Sequence, residues 1–287
     1  MKGVCSPMRT VLRTGLAFFV LALIFCPAAL SQAYPTNNVI FRVLMVKSQY
    51  GRGTIFSIDV DQREYWITAK HILTGAEHPP YGTVDTTKPV SLQILNPNKD
   101  EESWMTLMFS VIDPGKDIDI VALAPPHLVI QNAITSPSFA DADLTIGGEC
   151  SFLGFPFGGG WHATFKEGGY WMPYVKHCTV SSVPGNDLLI LDGINNHGFS
   201  GGPVLYETGA KQKIVGVVSG YVAEPTDIIP SAQRAKRPAS VAPKKTKKPG
   251  HVDVNSGFII AYFLEPAVAA IRENPIGPLR PPLAEAK

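Results

Sequence analysis

The chain is poor in charge, in helical periodicity and in cysteine, and each shortage excludes something. Its 287 residues carry 25 Lys and Arg against 24 Asp and Glu, a formal net charge of +1, so no overall excess of one sign marks it as a polyanion binder. Charged residues make up only 17% and apolar residues 45%, which argues for a packed globular chain over a solvated disordered one. Beyond the first 33 residues no apolar run is long enough to cross a bilayer. Only residues 264–273 show helical spacing, with Leu264, Val268 and Ile271 on one face and Pro266 in the first turn. No internal repeat is present. There are four cysteines, and Cys5 and Cys26 fall in the leader-like segment, leaving Cys150 and Cys178.

The first 33 residues are expected to be a secretory signal peptide. Lys2, Arg9 and Arg13 form a positive start with no acid, residues 15–30 are apolar, and Ser31-Gln32-Ala33 offers small residues where a signal peptidase cuts. The alternative is an uncleaved membrane anchor, against which the shortness of the run argues. A lipoprotein attachment at Cys26 is disfavoured by bulky Phe25. A secreted or periplasmic location follows, and an oxidising compartment permits a Cys150–Cys178 disulfide. Two free buried thiols are the competing expectation, and a Cys/His zinc site including His177 is a third, without the paired spacing of structural zinc sites.

What remains is rich in short strands. Residues 39–47 alternate apolar and polar. Residues 53–60 and 64–69 predict a hairpin across Asp61-Gln62-Arg63, and 90–95, 104–111 and 118–123 predict further strands. Residues 124–140 read as a Pro-containing connector. A second series follows at 149–153, 174–183, 188–191, 203–206, 213–219 and 257–262. The expectation is an all-β protein, barrels or a sandwich, of two similar-sized β units, an N-terminal one over 38–128 and a C-terminal one over 139–275. Within the second, residues 224–250 hold seven Lys or Arg against Glu224 and Asp227, and are rich in Pro and Ala. They are expected to form a mobile basic surface loop. It either contacts an anionic partner or is a solvated insertion, and the latter is favoured.

Three segments carry chemistry. A serine hydroxyl is a weak nucleophile at neutral pH and needs a base to take its proton and a carboxylate to orient that base. Gly198-Phe199-Ser200-Gly201-Gly202-Pro203 surrounds Ser200 with glycines, so the backbone can turn tightly and aim the Gly198 and Ser200 N–H groups at one oxygen as an oxyanion hole. Thr68-Ala69-Lys70-His71 places His71 at the end of an apolar strand as the base. The carboxylate is Asp119, ahead of Ile120-Val121-Ala122-Leu123, in preference to Asp117, two residues earlier on the same expected strand face.

Together with Gly53-Thr54-Ile55-Phe56, these segments resemble the trypsin-like serine peptidases of the chymotrypsin fold, the bacterial HtrA-like branch more than the digestive one. The resemblance runs over residues 39–262. It implies two perpendicular six-stranded β-barrels with a short C-terminal helix and a cleft between them. It implies a serine endopeptidase working through His71, Asp119 and Ser200 on a polypeptide substrate, with no metal or organic cofactor and no nucleic-acid partner. Ile194, Asn195, His197, Ser219, Gly220 and Tyr221 would line the primary substrate pocket. Ile194, where trypsin itself carries an acid, argues against a Lys/Arg preference. His197 hints at an acidic one, and a small or apolar side chain is the default. Phe199 departs from the digestive members, which carry an acid before the serine, so their activation by a new N-terminus should not apply. No PDZ-sized segment follows. The Gly- and aromatic-rich stretch 158–172 would close over the cleft or pack against a barrel.

Two rivals remain. Gly198-Phe199-Ser200-Gly201-Gly202 also satisfies the α/β-hydrolase elbow, with Asp227 and His251 following in order, but that fold alternates strands with helices. The other is a catalytically silent or latent binding protein on the same barrels.

Overall fold

The computed structural model describes residues 35–130, 136–139, 144–165, 168–185, 187–208, 211–227 and 251–281. The leader-like segment 1–33 and residues 228–250 of the basic segment lie outside them.

Six strands close the first barrel. They are β1 (Val43–Ser48), β2 (Gly51–Val60), β3 (Arg63–Thr68), β4 (Val90–Leu95), β5 (Trp104–Ile112) and β6 (Val121–Ala124), in the order β1-β2-β3-β6-β5-β4. The second barrel uses β7 (Glu149–Gly154), β10 (Tyr174–Gly185), β11 (Leu188–Asp192), β12 (Pro203–Thr208), β13 (Lys211–Asp227) and β14 (His251–Phe263), ordered β10-β11-β14-β13-β12-β7. Between β7 and β10, β8 (Trp161–Phe165) and β9 (Gly168–Met172) pair as a separate hairpin. Among the described residues the α-helices are few and short: α1 (Asn37–Ile40), α2 (His71–Thr74) and α3 (Glu265–Glu273). The sequence motif that suggested an α/β-hydrolase therefore sits in an all-β molecule.

Period-2 patterning builds three cores. In β2, Ile55 faces the interior of the first barrel with Trp66, Phe109 and Leu123, whereas Phe56, Ile58 and Val60 face the opposite way. That second face meets Leu153, Phe155, Val217 and Tyr262 from the other barrel and Val268 and Ile271 from α3. Strand alternation is what lets one strand serve two cores. The β2–β3 hairpin turns on Asp61 and Gln62, with φ of +48° and +63°, the left-handed pair that matches strand twist in a two-residue turn.

Cys150 and Cys178 oppose each other directly in β7 and β10, with Cα atoms 4.9 Å apart, and are joined as a disulfide. Both thiols are thus consumed, which removes the zinc alternative.

Three strand expectations need correction. The strand expected over residues 39–47 begins only at Val43, because residues 39 and 40 close α1 and the Phe41 and Arg42 amides bond back to Asn37 and Val39. Residues 118–120 are not in a strand, since β6 begins only at Val121. The two aspartates therefore do not share a strand face: Asp119 is fully buried and Asp117 exposed. The expected strands 213–219 and 257–262 are the inner parts of longer ones. β13 and β14 continue pairing outward from Ala223↔Asn255 to Asp227↔His251 as a two-stranded ribbon. Residues 224–227, expected to open the mobile basic loop, are therefore strand; Glu224, Pro225 and Thr226 are exposed, so no apolar alternation announced this extension.

After α3 the chain returns to the first barrel. The Glu64 amide donates to the Pro278 carbonyl at 3.1 Å, and the Arg280 amide donates to the Gln62 carbonyl at 2.7 Å. The Arg280 guanidinium reaches Asp59 at 2.5 Å and the buried Glu64 at 3.0 Å. Removing one member of such a pair leaves a desolvated charge behind. Arg280→Ala should cost about 3 kcal/mol of stability, read as a lower midpoint in chemical denaturation.

Candidate active site

His71 opens α2 directly after β3, with 21% of its side chain exposed. Its neighbour Lys70 is completely buried and pairs with Asp113 at 2.5 Å, and its ammonium also donates to the Gly115 carbonyl. Asp113 accepts from the Gly115 and Val84 amides as well. The 113–115 turn is thereby tied to the residue before His71, and that turn leads into Asp119. A buried ammonium this close to a carboxylate and a carbonyl is satisfied in both charge and hydrogen bonding.

Asp119 accepts three hydrogen bonds. His71 Nδ1 lies 2.7 Å from Oδ2, the His71 amide donates to Oδ1 at 2.8 Å, and Ser219 Oγ donates to Oδ2 at 2.5 Å. With its proton held at Nδ1 by the carboxylate, a neutral imidazole presents a bare Nε2, the form able to accept a proton. Those contacts also explain why residue 119 lies outside the strand: the backbone stops laddering where the carboxylate must reach α2.

Ser200 follows the tight turn at Gly198 and is clamped from the first barrel. The Thr54 amide donates to the Ser200 carbonyl at 2.8 Å, and Thr54 Oγ1 donates to the Gly198 carbonyl at 2.7 Å. Thr54 Oγ1 in turn accepts from the Phe155 amide at 3.2 Å. Ser200 Oγ donates to the Ser219 carbonyl at 2.9 Å. Among the described residues it has no hydrogen bond to His71. Ser219 therefore joins the three: its hydroxyl holds Asp119 and its carbonyl holds Ser200.

One peptide sets the direction of the Gly198 N–H. The Phe157 amide donates to the His197 carbonyl at 2.6 Å. In a trans peptide the C=O and the following N–H point opposite ways, so Gly198 N–H is turned away from Phe157. Among the described residues neither Gly198 N–H nor Ser200 N–H has a partner. Gly198 has φ +102°, and a Cβ there would lie 2.2 Å from the Phe155 carbonyl oxygen, so only glycine fits. Phe157 itself is left-handed at φ +55° and 76% exposed, a conformation that costs a non-glycine residue energy and concentrates at functional sites.

The segment before the serine is densely tied. Asn195 is buried, its Nδ2 donates to the Gly220 carbonyl at 3.0 Å, and its carbonyl accepts from Asn255 at 2.5 Å. Ile194 is 63% exposed. His197 stacks edge-on against Tyr221 with ring centroids 5.8 Å apart. Phe199 is buried against Phe152 in the second-barrel core. The 158–172 stretch, including the β8–β9 hairpin, packs against the first barrel: Tyr170 Oη donates to the Phe41 carbonyl at 2.7 Å and Trp171 Nε1 to the Lys99 carbonyl at 2.8 Å.

The structure joins His71 to Asp119 directly and Ser200 to Asp119 through Ser219, with Gly198 two residues before Ser200. Sequence reasoning grouped Ser219 with the pocket and did not foresee its bond to Asp119. Thr54 and Phe157 were missed as supports. Thr54 acts through one hydroxyl in a common strand residue, and Phe157 through its backbone, so neither leaves a compositional signal.

No family model and no curated protein matches this chain. Solved structures similar to it include the Rv3671c protease of M. tuberculosis in an inactive form, 17% identical, with 81% of this chain and 88% of that one covered and a TM-score of 0.44. The HtrA-type protease AlgW with a tripeptide is 14% identical, with 82% of this chain and 60% of that one covered and a TM-score of 0.49. The serine endoprotease from Yersinia pestis is 18% identical, with 66% of this chain and 59% of that one covered and a TM-score of 0.41. The chain thus spans about 60% of the length of the last two.

Proposed function

We propose that this protein is a secreted or periplasmic serine endopeptidase. The observation that supports it is the single run of hydrogen bonds from His71 Nδ1 through Asp119 and Ser219 to Ser200 Oγ. That run brings a nucleophile, a base and an orienting carboxylate to one place, beside two unpartnered N–H groups.

In this reading a χ1 rotation takes Ser200 Oγ from the Ser219 carbonyl to His71 Nε2, a move between staggered wells. Substrate binding commonly tightens such contacts. Oγ then attacks the scissile carbonyl carbon and its proton passes to Nε2. The carbonyl π pair moves onto oxygen, which the Gly198 and Ser200 N–H groups hold. The imidazolium, stabilised by Asp119, gives its proton to the departing amine as the C–N bond breaks. Water, deprotonated by the same Nε2, opens the acyl-enzyme and regenerates Ser200. Ile194, Asn195, His197, Gly220 and Tyr221 are the proposed side-chain pocket.

The bond from Ser200 Oγ to the Ser219 carbonyl favours a second reading, a latent form in which the serine is parked until a partner or substrate binds. Fluorophosphonate labelling of the mature protein, followed by peptide-library cleavage, tests both. Labelling at Ser200 with cleavage is the expected result. Absence of both from folded protein, persisting with substrate present, would overturn the peptidase reading. Gly198→Ala keeps its N–H but sets a Cβ against the Phe155 carbonyl, so it should misaim that donor, lower kcat by about 10²-fold and lower the thermal midpoint as well, measured by steady-state hydrolysis of a cleaved peptide beside thermal denaturation.

A further inference from the structure

Lys176 has no place in the triad, yet its surroundings are unusual. It lies in β10 on the second barrel. Its ammonium donates to the Ile194 carbonyl at 2.6 Å and to Asn196 Oδ1 at 2.7 Å, and sits 5.4 Å from the centre of the Phe199 ring. These three contacts span both sides of Asn195 and reach the residue before the nucleophile. Among the described residues no Asp or Glu pairs with it. The partly exposed ammonium gives up some of its hydration to a carbonyl, an amide and a ring face, without the return of an ion pair. Burial accordingly lowers its pKa.

We infer that Lys176 is a positioning residue: its ammonium holds segment 194–199 in the conformation that turns Gly198 N–H toward the reacting carbonyl. This rests on the peptidase reading. The segment is also tied by the Gly193 amide to the Gly257 carbonyl at 2.8 Å, the Phe157 amide to the His197 carbonyl and the Phe199 amide to the Asn196 carbonyl at 3.2 Å, by Thr54 Oγ1 on the Gly198 carbonyl at 2.7 Å, and at Asn195 by amide contacts. Lys176 supplies the charged contact in its middle. A donor is effective only if already aimed where charge will develop, so slack between residues 194 and 197 reaches Gly198 directly. The cation–π contact to Phe199 fixes the other flank of the same turn.

Lys176→Met keeps the length of the side chain and removes the charge. It should slow fluorophosphonate labelling of Ser200 and kcat by about 10- to 100-fold, the fraction of a donor's effect that misaiming would forfeit. KM should change less than about threefold and the thermal midpoint only slightly. Lys176→Arg, which retains the cation, should recover most of the loss. A merely structural role would move the midpoint and spare the split between kcat and KM. Wild-type rates in Lys176→Met would overturn the inference, as would loss in KM alone. If Lys176→Met does not fold, Asn196→Ala removes the other end of the contact, and unchanged kcat there overturns it equally. Wild-type protein assayed alongside separates the two readings. A wild type that neither labels nor cleaves overturns the peptidase reading and this inference with it, whereas an active wild type beside an unaffected variant overturns this inference alone.

Discussion

Ser200→Ala should abolish fluorophosphonate labelling and lower peptide turnover by about 10⁶-fold, because nucleophile, base and carboxylate act as a unit. The fold should survive it. The substitution deletes one hydroxyl and the 2.9 Å bond it donates to the Ser219 carbonyl. The ties that hold the backbone remain, namely the Thr54 amide on the Ser200 carbonyl and the Gly201 amide on the Val218 carbonyl. A single hydrogen bond from a partly exposed hydroxyl is worth about 1 kcal/mol, so circular dichroism and the thermal midpoint should be near wild type. The residual rate should still exceed that in water, since Gly198 N–H and the pocket are intact. Turnover within tenfold of wild type would remove Ser200 from the reaction. Loss of turnover with retained labelling would point to a different reactive serine.

The strands of the barrels were legible because each serves a buried face with period 2, whereas their closure into barrels rested on the resemblance alone. Ile55, Trp66 and Leu123 turn inward and Phe56, Ile67 and Ala122 turn toward the other barrel, so the apolar content of each strand was visible without knowing its neighbours. The outer parts of β13 and β14 were not, because ladder bonds between exposed residues such as Glu224 and Pro225 leave no mark in hydropathy. The hairpin of β8 and β9 was hidden for a related reason. Its glycines and aromatics do not alternate, and what fixes it is docking of Tyr170 and Trp171 on carbonyls of the first barrel.

At the candidate site, residues singled out for their side-chain chemistry were legible in the sequence, and the contacts that position them were not. His71, Asp119 and Ser200 are chemically restricted positions inside short patterned segments. Ser219 shows the limit: its hydroxyl on Asp119 and its carbonyl on Ser200 depend on β13 passing the end of β6, a long-range fact. Lys176 is more extreme, being one lysine in a strand whose partners lie 18 and 20 residues further on.

The second large effect separates the two aspartates. Asp119→Asn should lower kcat by about 10⁴-fold at neutral pH, and Asp117→Asn should leave it within about twofold. The carboxylate at 119 is an acceptor at all three of its contacts, the His71 ring, the His71 amide and the Ser219 hydroxyl. An amide keeps the shape but exchanges one acceptor oxygen for a donor nitrogen. If the nitrogen faces the ring, His71 must turn its bare nitrogen to it and carry its proton on Nε2, where it can no longer take one from Ser200. If the nitrogen faces the His71 amide, two donors meet in a buried site, with about 1–3 kcal/mol of desolvation left unrepaid. Either arrangement damages the base, and the second also lowers the thermal midpoint. Asp117 is exposed in the turn before β6, and among the described residues it has no hydrogen bond to His71. Its charge is screened by water and salt, so its removal should reach the ring only weakly. Kinetics of both variants on one peptide, with midpoints measured in parallel, decide the matter. A larger kcat loss at Asp117 than at Asp119 would show that the buried carboxylate serves the fold and that the orienting charge lies elsewhere.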